Sequence, residues 1–226
     1  MDSRFTIKAR GDCADLALVA VGMDLDLPFL LADLDRRLLG YLSVTPYACD
    51  DAHLGGFNQF DTYVRRGDVG LIFAAYEPYI KLAAGNAAVG KSAKIVTVIS
   101  PSAKISRTAT IGAGSIIQHG AYIGENAIVG SYVKVNVNAS IHHGAKIGDF
   151  TTISPNCAIL GQCTIGRESL IGAGSTIRND VVVGDRVYLG MGAVVVANVP
   201  SDTVAYGVPA KSVAAFTPRT MSFSDS

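Results

Sequence analysis

From Ile99 to Val195 an aliphatic residue recurs at every sixth position: Ile99, Ile105, Ile111, Ile117, Ile123, Val129, Val135, Ile141, Ile147, Ile153, Ile159, Ile165, Ile171, Ile177, Val183, Leu189 and Val195. Four residues after each comes a small or β-branched residue, from Ala103 and Ala109 through Cys157 and Cys163 to Ala193. A period of six fits neither an α-helix, whose apolar stripe recurs at 3.6, nor a lone strand alternating at two. It predicts very short strands joined by tight turns and wound into a three-sided prism, each side turning one aliphatic residue inward. Three sixes make one coil, so residues eighteen apart stack in columns and each coil is stabilised by its neighbours. Glycine often follows the aliphatic position, at Gly112, Gly124, Gly130, Gly148, Gly166, Gly172, Gly184 and Gly190, where it is expected to supply the backbone freedom of a tight turn.

Before Ile99 the period of six is absent. Asp15–Val21 carries a continuous apolar run ending at Gly22, which predicts a strand buried on both faces, and Leu38–Val44 and Val69–Ala75 predict two more. Leu27–Arg36 spaces apolar residues three and four apart with Pro28 in the first turn, predicting a helix. A second helix is expected from Glu77 to about Ala88, then a strand from Ala93 to Val98. Strands alternating with helices predict a small parallel α/β domain, Rossmann-like, over residues 1–98, set to hold a substrate over an all-β prism at 99–199. Residues 200–226 are expected to hold a closing segment around Gly207-Val-Pro-Ala-Lys211 and a weakly ordered tail from Thr217.

Composition narrows the partners. Lys plus Arg equals Asp plus Glu at 19 each, so no net positive field recruits nucleic acid or an anionic membrane. No apolar run approaches a membrane span, and the N-terminus lacks the basic-then-apolar order of a signal peptide, so a cytoplasmic protein is expected. Cys13, Cys49, Cys157 and Cys163 form no metal or redox motif, and the last two sit at inward positions as small core thiols.

The unbroken period of six and the closing Gly-Val-Pro-Ala-Lys resemble the left-handed β-helix acyltransferases. That resemblance implies a left-handed parallel β-helix and a homotrimer. Leu38-Leu-Gly-Tyr-Leu, Leu54-Gly-Gly56, Gly70-Leu-Ile-Phe-Ala-Ala-Tyr76 and Val98-Ile-Ser-Pro-Ser-Ala103 fall in an order similar to the sialic acid O-acetyltransferase and bacterial amino-sugar N-acetyltransferase group. The resemblance implies acetyl transfer from acetyl-CoA, without metal, to the amine or hydroxyl of a sugar of surface polysaccharide biosynthesis, with a nucleotide-linked amino sugar as the first candidate.

The segment from Asn136 to Asp149 is similar to the family's catalytic segment and places its general base at His143, with His142 in reserve and Asn136 beside the substrate. An imidazole ordinarily titrates near neutrality, so it can take a proton and return it. Where the family commonly has an acidic residue to orient the ring, this chain has Gly144. Counting by eighteen gives the column Arg107, Glu125, His143, Gly161 and Asn179, which makes Glu125 a substitute partner for the ring, unless it pairs with Arg107. Gly161 matches a family position whose backbone N–H faces the thioester carbonyl. Arg178, Arg186 and Lys211 stand in the last coils, where the family holds the far end of the cofactor, although solvated charges explain them equally. The glycine-rich loop and acidic pair that mark nucleotide-sugar binding are weak or gone: Gly22–Asp26 and Ser43-Val44 stand in their places, leaving Tyr47 and Tyr76 as other contacts.

Two other classes compete. Trimeric carbonic anhydrases share the prism, but they hold zinc with two histidines five residues apart, and no pair among His53, His119, His142 and His143 has that spacing. A non-catalytic trimeric scaffold, or an acyltransferase for a non-sugar acceptor, is the alternative that Gly144 motivates.

Overall fold

The computed structural model describes residues 8–9, 17–22, 27–32, 38–43, 53–56, 59–65, 68–89, 91 and 94–217. Cys13, Cys49, Met23–Asp26, Val44, Tyr47 and the tail beyond Thr217 lie outside them.

In the N-terminal half, β1 (Lys8–Ala9), β2 (Ala17–Val21), β3 (Leu38–Ser43), β4 (His53–Gly56), β5 (Val69–Phe73) and β6 (Lys94–Ile99) are interspersed with α1 (Leu27–Ala32), α2 (Phe60–Val64) and α3 (Pro78–Ala88). The parallel strands lie in the order β4, β3, β2, β5, β6, and β1 adds to β6 antiparallel. Strand β5 is buried throughout and Leu18 to Val21 of β2 likewise, as continuous apolar runs require of central strands covered on both faces. Helix α1 buries Leu27, Leu30 and Leu31, spaced at three and four, and α3 buries Ile80, Ala84 and Ala88. The strands β1 and β4 and the helix α2 have no counterpart in the sequence pattern. None carries a periodic apolar pattern long enough to be told from loop.

The prism follows as sixteen two-residue strands, β7 (Lys104–Ile105) through β22 (Val194–Val195). They stack in three parallel sheets in the predicted register of eighteen, for example Ile123 opposite Ile141 and Ile141 opposite Ile159. Ile105, Ile123, Ile141, Ile159, Ile177 and Val195 line the first face. Ile111, Val129, Ile147, Ile165 and Val183 line the second, and Ile117, Val135, Ile153, Ile171 and Leu189 the third. These side chains and the small inward residues, including Cys157 and Cys163, form one core. Burial pushes the Cys157 thiol up to about 11, so it stays an inert core thiol. Each fully buried aliphatic side chain contributes about 1.5–3 kcal/mol relative to exposure.

The glycines after the aliphatic positions are not there for turn freedom. The left-handed backbone falls two residues later, and there Asn126, Tyr132, Phe150, Gln162, Glu168 and Arg186 adopt it as well as glycine. What the second corner demands is room. At Gly112, Gly148, Gly166 and Gly184 a Cβ would lie 2.5 Å from a backbone nitrogen of the next coil, and at Gly130 2.9 Å.

The two halves are one sheet at their junction. β6 pairs with the first strand of the prism's third face, Val98 opposite Ile116 and Ile99 opposite Ile117. At the far end of that face, the closing segment forms an antiparallel hairpin, β23 (Thr203–Gly207) and β24 (Ala210–Ala215), rather than a simple terminus. Between them α3 and the β5–α3 connection lie on the face. Lys134 Nζ donates to the Ala74 carbonyl at 3.1 Å, Lys81 Nζ to Thr151 O at 3.0 Å and Thr152 Oγ1 at 2.8 Å, and Thr152 Oγ1 to Tyr76 O at 2.8 Å. Tyr132 stacks on Phe150 at 4.8 Å, and Phe150 fills the space beside Gly85 of α3.

Burial, reinforced by the charge of Lys134, holds the Lys81 ammonium well below the usual lysine range. Below about pH 10.4 the unfolded chain therefore binds more protons here, and stability rises with pH between the folded pKa and that value. The stability difference between Lys81→Met and wild type is expected to move in favour of the variant as the pH falls from about 10 to about 7, because only wild type carries the depressed lysine. Denaturant titrations of both proteins at several pH values check this, and a pH-independent difference contradicts it. Gly148→Ala, which forces a Cβ against the Arg167 nitrogen, is expected to cost about 1–3 kcal/mol in the same measurement.

Candidate active site at the corner between the first and second faces

Corner residues 143 and 144 follow Ile141 of the first face and lead into the second. The stacked turns are tied by backbone bonds: Gly144 N donates to Glu125 O at 2.8 Å, Gln162 N to His143 O at 2.9 Å and Asp180 N to Gly161 O at 3.1 Å. The column predicted by counting therefore exists, with His143 exposed on it. The imidazole lies over Gly161. A Cβ on Gly161 would stand 2.5 Å from Cε1 and closer still to Nε2, and 3.1 Å from the Asn179 amide nitrogen. Glycine here is what lets the ring reach the next coil. Among the described residues the Gly161 N–H donates to no other group, so it remains a donor beside the imidazole.

Two expectations need correction. Glu125 does not hold the ring: the imidazole leans toward Gly161, and neither ring nitrogen has a hydrogen-bond partner among the described residues. Nor does Glu125 pair with Arg107; no ion pair joins them. The absent acid at Gly144 also has a local cause. Gly144 has φ 65°, and a Cβ there would lie 2.6 Å from both Nε2 and Oε1 of Gln162. The Gln162 amide occupies the space beside the histidine that a side chain at position 144 would take. Gln162 and Asn179 were within reach of the column arithmetic, but an amide carries no spacing signature of its own.

The other candidates scatter. His142, partly buried one residue before His143, meets Tyr122 edge-on at 5.7 Å between ring centroids. Arg178 is exposed on the same corner, two coils beyond His142. Arg186 stands on the corner between the second and third faces, where its Nε and NH2 bind Asp202 at 2.6 and 2.9 Å. That pairing keeps its pKa raised and the Asp202 carboxyl below the usual range. Lys211 is exposed on β24, on the third face. Asn136 is buried on the corner between the third and first faces, its amide donating to Ile153 O at 3.1 Å. Within one chain Glu125, Gly161, His142 and Arg178 share the His143 corner. His119 belongs to the same corner as Asn136, with Nδ1 3.0 Å from Ser100 Oγ. Tyr76 binds Ser154 Oγ at 2.6 Å on the third face, and burial pushes its hydroxyl pKa up. Among the described residues no three His, Cys, Asp or Glu side chains gather as a metal would need, and no helix is long and apolar enough to cross a membrane.

Residues 102–137, 144–179 and 162–197 match the bacterial transferase hexapeptide (six repeats) family. The matched segments cover the prism, which has the form of the left-handed β-helix of hexapeptide-repeat acetyltransferases. No curated protein matches the sequence. Among solved structures, the acetyltransferase domain of PglB from Neisseria gonorrhoeae superposes with a TM-score of 0.80 at 25% identity, covering 87% of this chain and 99% of that one. The same domain in complex with acetyl coenzyme A gives 0.78 at 25% identity, covering 88% and 100%. PerB from Caulobacter crescentus, in complex with CoA and GDP-perosamine, gives 0.79 at 22% identity, covering 88% and 97%, a likeness of fold.

Gly161→Ala is expected to drive the imidazole off its seat, lowering kcat while leaving the melting temperature within about 2 °C, since the ring it displaces is exposed. A variant that melts as wild type and retains full turnover removes Gly161 from the site.

Proposed function

We propose that the protein transfers acetyl from acetyl-CoA to the amine of a nucleotide-linked amino sugar, with His143 as general base. The observation that carries this is the exposed imidazole seated over Gly161, with a free backbone N–H at its side. His143 takes a proton from the acceptor amine as the nitrogen bonds to the thioester carbonyl carbon. The Gly161 N–H donates to the carbonyl oxygen as its negative charge develops. When the C–S bond breaks, the imidazolium returns the proton to the departing thiolate. Arg178, one coil beyond Gly161 along the corner, is placed for the far end of the co-substrate. Arg186 and Lys211 stand too far around the prism to join it within one chain.

Residues 1–98 serve as a Rossmann-like acceptor domain. Its strand order reverses between β2 and β5, the position where open parallel sheets bind ligands. In one chain this domain lies on the third face and His143 on the opposite corner, so a homotrimer supplies the domain of one subunit to the histidine of another. The acetyl-CoA complex of the PglB domain supports the donor, and the GDP-perosamine complex of PerB the acceptor class. A cytoplasmic setting agrees with acetyl-CoA as donor. The scaffold alternative rested on Gly144, and the Gln162 amide accounts for that residue.

His143→Ala is expected to lower kcat about 10²–10⁴-fold with acetyl-CoA affinity retained, measured by CoA thiol release against nucleotide-linked amino sugars. Undiminished turnover overturns the assignment.

A further inference from the structure

The first coil of the prism carries an open groove of about 500 Å³ beside the His143 column, lined by Lys104, Ser106, Arg107, Tyr122 and Glu125 among others. Lys104, Arg107, Tyr122 and Glu125 are all exposed. Among the described residues neither cation has an ion pair or a side-chain hydrogen bond, and Glu125 has none either. Three unpaired charges therefore face one groove. Ile105 at its floor and Ile111 nearby are only partly buried, unlike the fully buried aliphatic residues of the following coils. The groove is continuous with the candidate site: Lys104 is opposite Tyr122 in register, Tyr122 touches His142, and Glu125 is one coil before His143.

The charges are ordered along the axis. Arg107, Glu125 and His143 follow at steps of one coil, about 4.8 Å each, with Lys104 beside Arg107. Cations at the far end, a carboxylate next and the imidazole last match a ligand with phosphate at one end and an ammonium at the other. We propose that this groove is the acceptor's subsite: Lys104 and Arg107 bind the phosphates, Tyr122 offers a platform for the ring, and Glu125 receives the ammonium, which gives its first proton up to solvent so that the free amine attacks and His143 takes the second. The co-substrate then occupies the other side of His143, toward Gly161 and Arg178. This rests on the acetyl-transfer function proposed above and assigns the acceptor a face of the prism itself, in addition to the α/β domain. Both cations are exposed, so losing the pair is expected to weaken phosphate binding by at least about tenfold, about 1.4 kcal/mol.

The test is calorimetric titration of inorganic pyrophosphate into the full chain saturated with CoA, for wild type, Lys104→Ala/Arg107→Ala and Arg178→Ala. Expected is saturable binding to wild type that weakens with salt, the same binding to Arg178→Ala, and at least a tenfold loss in the double variant with its CoA affinity and melting temperature unchanged. Pyrophosphate binding that survives the double substitution, or no saturable binding to the CoA-loaded wild type, overturns the proposal. Failure of the acetyl-transfer function shows separately, as a wild type that binds no CoA. A second readout uses Glu125→Gln, which is expected to raise KM for an amino-sugar acceptor and leave KM for acetyl-CoA unmoved. An unchanged acceptor KM contradicts the role of Glu125.

Discussion

In the prism the amide of one strand donates to a carbonyl seventeen residues further on, as from Tyr122 to Ala139, Ser140 to Cys157 and Thr176 to Ala193, at 2.8 to 2.9 Å. That parallel ladder fixes every column. A one-residue slip would turn the inward isoleucines out and the outward lysines in, so the register is set by the core and the core by the register. The candidate site inherits this rigidity. His143, Gly161 and Asn179 reach the same spot because three successive coils present the same corner, and the second corner closes tightly enough that all five coils there use glycine. A site built on such stacked turns keeps its geometry without help from a mobile loop.

The same ladder explains how a two-part chain behaves as one body. β6 leaves the α/β sheet by pairing with the third face, so the first half docks by continuing a sheet. The outward residues of that face then clamp the β5–α3 connection: Lys134 on Ala74, Thr152 on Tyr76, Ser154 on the Tyr76 hydroxyl. Two buried lysines there donate mainly to carbonyls and a hydroxyl, an arrangement that costs desolvation and gives orientation in return. The switch point between β2 and β5 is correspondingly tight. Gly22 packs on Ala75, and the N–H groups of Ala74 and Ala75 both bind Val21 O. Those amides are taken up by Val21 O, which accords with the weak nucleotide signature of Gly22–Asp26.

The period of six made the prism legible to the residue, because one buried aliphatic position per side is a constraint no coil escapes. It placed His143 and Gly161 in one column and the two cysteines in the core. It misassigned the glycines, since periodicity tells where a turn falls but not whether the turn needs a left-handed backbone or a missing Cβ. It does not tell which way the imidazole leans, so it offers Glu125 as orienter or as partner of Arg107, whereas the ring rests over the opposite neighbour, Gly161. Arg186 and Asn136 show a related limit. A basic or amide side chain announces its chemistry, whereas its commitment to Asp202 or to Ile153 O depends on which corner it turns around. In the α/β half the short elements carried no period, and the junction lysines read as ordinary helix and strand residues.

In the proposed reaction the corner of His143 divides the prism along its axis, with the donor toward the last coils and the acceptor toward the first. A crystal structure of the full chain with CoA bound tests it most directly, through the anomalous signal of the cofactor thiol. The expected result places that sulfur beside Gly161, on the C-terminal side of His143, leaving the Lys104 and Arg107 groove open. A thiol on the Glu125 side, or at either of the other two corners, would contradict the account.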